Sequence, residues 1–91
     1  MKYKNFMDAV KVDAALCTTI AMEECSELIK AVSKAKRGKL DKENMAEEIG
    51  DVLICIDWLK SAYDINQDDI NIWMKIKKNR VVDRLNKGDF K

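Results

Sequence analysis

Apolar and polar residues alternate with the period of an α-helix over four segments of this chain. Within each segment the apolar residues recur three, four and seven positions apart, which places them on one side of a helix. Gly38 suits the left-handed position that ends the second segment, and Asp41 suits the N-cap of the third. The predicted helices span residues 3–10, 12–37, 41–63 and 67–86.

The composition and the connections between these segments predict an all-α fold. The chain has 91 residues, no proline and three glycines, and 36% of its residues are charged. This mix favours helix. Short connections between the longer segments predict that neighbouring helices lie antiparallel, as in a bundle. We therefore expect one domain over residues 1–91, a four-helix bundle with a short N-terminal helix and three longer ones.

Charge and cysteine usage narrow the class of function. A net charge of +1 does not indicate a nucleic-acid-binding surface. The chain has no histidine, and its three cysteines lack CxxC spacing, which argues against structural zinc, a Ser-His triad or a Cys-His dyad. Free thiols favour a reducing compartment. We expect no signal peptide, because the first ten residues are too polar. We also expect no membrane span, because no apolar run reaches the length of about 18 residues that a spanning helix needs. We expect a cytoplasmic protein that binds neither nucleic acid nor membrane.

An acidic pentad occurs twice, as EECSE at residues 23–27 and as EEIGD at residues 47–51. Glu24 and Glu48 each lie within the apolar stripe of their predicted helix. Glu27 and Asp51 follow three residues later, at the edge of that stripe. The residues that share a face with the two glutamates are Cys17, Ala21, Leu28 and Ala31 in the first case and Met45, Val52, Cys55 and Leu59 in the second.

Three explanations of the pentads are open. A solvated acidic face usually carries Lys or Arg three or four positions away, and only Glu27 has such a partner, Lys30. Partial burial against lysines of another helix is the second explanation. The third is a divalent metal, since carboxylates without histidine or thiolate suit Mg²⁺ or Mn²⁺. The candidate metal ligands are Glu24, Glu27, Glu48 and Asp51.

The paired motifs Glu-Glu-x-x-Glu and Glu-x-x-Asp, separated by about twenty residues, resemble the signature of the MazG-like all-α nucleoside triphosphate pyrophosphatases. The resemblance extends over about residues 12–85. It implies a magnesium-dependent enzyme that cleaves nucleoside or deoxynucleoside triphosphates to the monophosphate and pyrophosphate. It also implies assembly into homodimers or homotetramers, with the site on the helices that carry the acids.

The same resemblance implies roles for individual residues. The four acids named above would be metal ligands, and Glu23 would be a catalytic acid that binds metal or orients water. Trp58 lies two turns after Asp51 and could line the pocket for the nucleobase. Aromatic residues at helical spacing are more often part of a core or an interface, so that alternative stays open for Trp58.

The last predicted helix carries a match to the K-x-x-x-N pattern with which the family meets nucleotide. Lys75 and Asn79 form this match, and their spacing puts both on one helical face. Lys78 and Arg80 lie beside them and are further substrate-binding candidates. A solvated lysine-rich face would produce the same pattern.

Several apolar residues lie away from the stripe centres, which predicts a homo-oligomer. They are expected to be covered by a second copy of the chain. The rival to the enzyme hypothesis is a non-catalytic helical dimer of the same scaffold that acts as a binding or regulatory module. The residues that lie away from the stripes are Met22, Ile29, Ile54 and Trp58.

Overall fold

The computed structural model describes residues 2–88, so Met1 and residues 89–91 lie outside the described part. It contains four α-helices, and no strand occurs between residues 2 and 88, which confirms the all-α prediction. None of the helices in this range is long and apolar enough to cross a membrane. The helices are α1 (Phe6–Val12), α2 (Ala14–Lys36), α3 (Lys42–Ala62) and α4 (Gln67–Lys87).

Side-chain caps set the helix boundaries. Asp13 accepts a hydrogen bond from the backbone N–H of Leu16, and Asp41 accepts one from that of Asn44, each at 3.0 Å. The cap at Asp13 separates α1 from α2, so α1 ends two residues later than predicted and α2 begins two residues later. Gly38 follows α2 with a φ of 79°, the left-handed conformation predicted for it.

Helices α2 and α3 pack along one another as an antiparallel pair. Cys17, early in α2, belongs to the same core cluster as Cys55 and Trp58, late in α3. Glu24, in the middle of α2, meets Glu48 nearer the start of α3. This order of contacts, with a connection of five residues, requires opposite helix directions. Helix α1 packs against both members of the pair.

Helix α1 buries Trp58, which corrects the expectation that a second copy covers this residue. The rings of Phe6 and Trp58 stack with centroids 4.2 Å apart and planes 11° from parallel. The indole N–H of Trp58 donates a hydrogen bond of 2.7 Å to the carbonyl oxygen of Phe6. Most of the other buried side chains are small, which lets the helices approach closely. The buried residues are Val10, Cys17, Ala21, Ala31, Cys55 and Trp58.

Helix α4 stands apart from this core. None of its described residues is buried, and most of its large apolar side chains are exposed. The radius of gyration is 16.4 Å, whereas a compact domain of this length has about 12 Å. The chain as a single copy is therefore an α1–α2–α3 unit from which α4 projects.

Candidate metal centre

Three carboxylates meet where the middle of α2 faces the first half of α3. Glu24 comes from α2, and Glu48 and Asp51 come from successive turns of α3. One oxygen of each lies within 4.8 Å of the others, and all three residues are half-buried. The antiparallel pairing produces this convergence, because it sets the apolar stripes that contain both pentads against each other.

The environment of Glu24 disfavours its charged form. Burial raises the pKa of Glu24, and a side-chain hydrogen bond with Asp51 raises it further. The negative charges of Asp51, Glu48 and Glu27 act in the same direction. In the absence of a cation, Glu24 therefore holds a proton more readily than an ordinary glutamate does, and Asp51 accepts it in a hydrogen bond.

Glu48 has one oxygen whose bonding capacity is unused. Its Oε1 accepts a long hydrogen bond of 3.4 Å from the side-chain amide of Asn44. Its Oε2 is buried and has no hydrogen-bond partner among residues 2–88. A buried carboxylate oxygen without a partner costs free energy, so this atom marks a place where a cation would be stabilising.

The cluster fits a small hard cation. All its donors are carboxylate oxygens, the ligand type that Mg²⁺ and Mn²⁺ prefer. Oxygens around an octahedral Mg²⁺ lie about 3 to 4.2 Å apart, a range compatible with the 4.8 Å limit found here. Burial raises the pKa of the nearby Cys55 thiol, and the charges of Glu24 and Asp51 add to this effect, so Cys55 stays a neutral thiol rather than a thiolate ligand.

No salt bridge with a lysine neutralises the three carboxylates in the part of the chain that the structure describes. The salt bridges of the acidic helices join Glu27 to Lys30 and Asp57 to Lys60, and both lie outside the cluster. No lysine between residues 2 and 88 is within salt-bridge distance of Glu24 or its two neighbours in the cluster. Among residues 2–88, no salt bridge with a lysine of another helix therefore accounts for the three clustered carboxylates.

The other two acids of the first pentad, Glu23 and Glu27, are exposed and are not members of the three-carboxylate cluster. Glu27 is exposed, and its Oε1 accepts a hydrogen bond of 3.2 Å from the Lys30 ammonium. It is still near enough for its charge to affect Glu24. Glu23 is also exposed, and the interaction found there is that of its backbone carbonyl with the Ser26 hydroxyl at 2.7 Å. Their predicted roles in binding metal and activating water stay predictions.

A small cavity of about 140 Å³ lies beside the carboxylates. Trp58 lines it, although the indole is only 8% exposed and forms part of the core. Phe6 also lines this cavity, and the sequence did not predict it as a pocket residue. The sequence signal that could have indicated it is the four-residue spacing of Phe6 and Val10, which puts both on one face of α1. The cavity is lined by Phe6, Ile20, Glu24, Asp51, Ile54, Cys55 and Trp58.

The candidates for nucleotide binding on α4 lie elsewhere in the single chain. Lys75, Lys78 and Asn79 line one shallow groove, so the predicted shared face of Lys75 and Asn79 is present. Arg80 is exposed and does not line this groove. Within the described residues, α4 contributes nothing to the cavity beside the carboxylates. The chain by itself therefore does not bring the basic residues and the acids together.

A comparison with known protein families shows to which family this chain belongs. Residues 14–87 match the MazG nucleotide pyrophosphohydrolase domain, a match that covers α2, α3 and α4. The chain belongs to the MazG family. The MazG match leaves out α1, so Phe6 lies outside the matched region, whereas Trp58, on which it stacks, lies inside it. The comparisons with curated proteins and with solved structures returned no match.

Proposed function

We propose that this MazG domain is a magnesium-dependent nucleoside triphosphate pyrophosphohydrolase. Its reaction would cleave a ribo- or deoxyribonucleoside triphosphate to the monophosphate and pyrophosphate. The observation that carries the proposal is the unpartnered Oε2 of Glu48 beside two further carboxylates. Membership of the MazG family supports the reaction class. A triphosphate with bound magnesium is the substrate type that a site of carboxylates usually serves.

The proposed ligands of the ion are Glu24, Glu48 and Asp51, with Glu27 as a fourth. Glu27 would have to leave its exposed salt bridge with Lys30, which costs at most about 1 kcal/mol. When bound, the ion supplies charge neutralisation to the oxygens of the triphosphate. Mn²⁺, which also prefers oxygen ligands, is a possible substitute.

Glu23 is the proposed catalytic residue and would act as a general base. Its carboxylate would orient a water molecule towards a phosphorus of the α–β link and accept the proton that the water loses. The bond between that phosphorus and the bridging oxygen breaks, and both of its electrons go to the bridging oxygen. Pyrophosphate is the leaving group if the water attacks the α-phosphorus, and the monophosphate is the leaving group if it attacks the β-phosphorus. Positioning and charge stabilisation contribute most to catalysis in reactions of this kind.

The substrate would lie between the cavity and basic residues. The cavity beside Glu24 and Asp51 offers Trp58 and apolar side chains to the nucleobase. Lys75, Asn79, Lys78 and Arg80 are proposed to hold the phosphates or the sugar. Because one face of the Trp58 indole already stacks on Phe6, a base would not enter between these two rings.

The second candidate function is a non-catalytic binding or regulatory module on the same scaffold. The distance of α4 from the core favours it, because a single chain lacks a complete nucleotide pocket. The single-domain organisation over residues 1–91, assembly as a dimer or tetramer, the cytoplasmic location and the absence of a nucleic-acid partner stay predictions.

Pyrophosphate release separates the two functions. The chain is incubated with a panel of ribo- and deoxyribonucleoside triphosphates, with Mg²⁺ and with a chelator. The proposal expects release of pyrophosphate that requires Mg²⁺, is lost in Glu48→Gln and persists in Glu43→Gln. Glu43 is a matched control because it is an exposed glutamate of the same helix, outside the cluster. Binding of nucleotide without release, in the parent chain with Mg²⁺, would favour the regulatory module.

A further inference from the structure

The cavity beside the carboxylates has the size of a single six-membered aromatic ring. Its volume is about 140 Å³. An apolar protein cavity of about 150 Å³ is large enough to bind benzene. A pyrimidine base is one ring of this kind, whereas a purine carries a second ring fused to the first. The cavity as it stands therefore has room for a pyrimidine and not for a purine.

The lining of the cavity suits an aromatic group without charge. Phe6, Trp58 and Ile54 supply apolar surface, and the carboxyl groups of Glu24 and Asp51 complete one side. These acids would repel a free phosphate group. Among residues 2–88, no lysine or arginine lines the cavity. The base is the aromatic and uncharged part of a nucleotide, so it is the part that matches this lining.

The inner wall of the cavity is part of the core and resists widening. Trp58 is 8% exposed and Cys55 is 4% exposed, and both belong to the core cluster. Moving the indole outwards would break its hydrogen bond of 2.7 Å to the Phe6 carbonyl and separate the two stacked rings. Forcing a larger group into a packed core is destabilising, so a second ring cannot be accommodated on this side.

The acids limit how far a base can withdraw from the cavity. Glu24 and Asp51 belong both to its lining and to the three-carboxylate cluster. A nucleotide whose phosphates are held at this cluster therefore has its base close to the cavity, because only the sugar lies between the base and the first phosphate. A purine could not leave its second ring outside without moving its phosphates away from the acids.

Helix α1 supplies the wall that sets the size of the cavity. Phe6 comes from α1, whereas the other lining residues come from α2 and α3. Phe6 also precedes residues 14–87, so the domain match does not account for this wall. The side chain is 37% exposed, so removal of its ring would open the cavity to solvent on that side.

From these observations we infer that the cavity accepts a pyrimidine base and excludes a purine, with Phe6 as the residue that determines this specificity. The substrates are then the triphosphates of cytosine, uracil or thymine nucleosides. The inference rests on the proposed pyrophosphohydrolase function and adds to it the class of base.

Competition between substrates measures the selectivity. The parent chain is given an equimolar mixture of dCTP, dTTP, dATP and dGTP with Mg²⁺, and the monophosphates formed are separated by chromatography. A mismatch of size in a binding pocket changes kcat/KM by about tenfold or more. We expect the pyrimidine monophosphates to form faster by at least this factor. Purine monophosphates that form as fast or faster would overturn the inference and leave the proposed function standing.

Two variants widen the cavity at different walls. Phe6→Ala removes the ring from α1, and Ile54→Ala shortens a side chain that is 50% exposed and so contributes little to folding. In each, the rate for purine relative to pyrimidine substrates should rise by about fivefold or more. Ile56→Ala is the matched control, because Ile56 is an isoleucine of the same helix outside the cavity lining. It should keep the parental ratio.

Ile54→Ala keeps this test decisive if Phe6→Ala does not fold. A parental ratio of purine to pyrimidine rates in the widened variants that fold would overturn the role of the cavity in selecting the base. A ratio that rises equally in Ile56→Ala would also overturn it, because the effect would then not depend on the lining.

A binding measurement separates this inference from the proposed function. Trp58 and Trp73 are the two tryptophans of the chain, so Trp73→Phe leaves Trp58 as the fluorescent reporter of the cavity. This variant is titrated in chelator with cytidine and with adenosine, which are uncharged and have no phosphate to be cleaved. Saturable quenching by cytidine at lower concentration than by adenosine is expected.

This titration decides the inference alone if the parent chain cleaves no triphosphate. Preference for cytidine would then show that the proposed function fails and that the selectivity of the cavity stands. Equal quenching by the two nucleosides, or no saturable quenching by either, would overturn the inference as well.

Discussion

The indole N–H of Trp58 donates a hydrogen bond to the carbonyl oxygen of Phe6, and the rings of the same two residues stack. This pair joins α1 to α3 directly beside the cavity that contains two of the clustered carboxylates. Helix α1 therefore closes the core and forms one wall of the proposed substrate pocket.

Replacing Phe6 by alanine should weaken both the core and the pocket. The stacked ring is lost while the backbone carbonyl that accepts from Trp58 remains, so the expected loss in the free energy of unfolding is about 1–2 kcal/mol. Urea unfolding measures it. Tyr63→Ala removes an aromatic ring that is 63% exposed, and it should change stability by less than about 0.5 kcal/mol. Equal losses of unfolding free energy in the two variants would mean that the Phe6–Trp58 stack does not stabilise the fold more than an exposed aromatic ring does.

Replacing Glu48 by glutamine should make the metal-free protein more stable. The substitution removes one of several like charges around Glu24 and replaces an unpartnered oxygen with an amide that can donate a hydrogen bond. The urea midpoint in chelator should therefore rise. Added Mg²⁺ should raise the thermal midpoint of the parent chain and leave that of the variant unchanged. Equal stabilisation of both by Mg²⁺ would remove Glu48 from the ligand set.

The metal-free protein should lose stability as the pH rises above the ordinary range of a glutamate. The pKa of Glu24 in the folded state is raised above its ordinary value of 4.5, so the folded state binds a proton that the unfolded state releases. The stabilisation from this proton is fully present below the unfolded pKa and is lost as the pH rises through the folded pKa.

Unfolding in chelator at about pH 5 and about pH 7.5 measures this effect. The parent chain should lose more stability between the two pH values than Glu24→Gln, whose side chain does not titrate. Mg²⁺ binding should show the opposite trend and tighten with rising pH, because the ion competes with the proton. A parent and a variant with parallel pH profiles would show that Glu24 does not titrate differently in the folded state.

Removal of Lys30 should strengthen metal binding. Lys30 holds the exposed Glu27 carboxylate at 3.2 Å, so Lys30→Ala would free that carboxylate to act as the fourth ligand. Isothermal titration with Mn²⁺ should show affinity higher by up to about fivefold. Lys34→Ala, which removes the same charge one helical turn later, is the control. An unchanged affinity in Lys30→Ala would leave Glu27 outside the metal site.

Replacement of Lys75 by alanine should weaken substrate binding and spare metal binding. The loss of a charged hydrogen bond to phosphate should raise KM about tenfold with a smaller change in kcat. Lys87→Ala removes the same charge from the last turn of α4 and should have little effect on KM. A drop in kcat at unchanged KM would instead assign Lys75 to the chemical step.

Local sequence signals predicted the helices and the position of the acids on them. Helical periodicity, the cap at Asp41 and the left-handed Gly38 depend on residues within a few positions of one another, so they can be recognised without the tertiary structure. The placement of Glu24 and Glu48 within apolar stripes predicted that both would lie at the contact between α2 and α3, because an apolar stripe is buried against its neighbour.

The tertiary structure decided which side chains meet across that contact. Asp51 turns into the cluster whereas Glu27, at the equivalent position of the first pentad, pairs with Lys30 on the surface. Two residues at equivalent positions of their helices can therefore have different partners. A flexible side chain at the edge of an apolar stripe can reach either the helix contact or a nearby surface charge. The cover that Phe6 provides for Trp58 was also decided by packing, since it joins residues 52 positions apart.

For α4, too, the sequence determines the helix itself and the tertiary structure determines what the helix contacts. Its length and its polar and apolar faces are properties of the sequence, because they follow from local propensity and periodicity. Whether its basic residues reach the acids depends on how the whole helix packs, and in the described chain none of its residues is buried or lines the cavity beside the acids. An amphipathic pattern specifies that a face is to be buried, but it does not specify the surface that buries it.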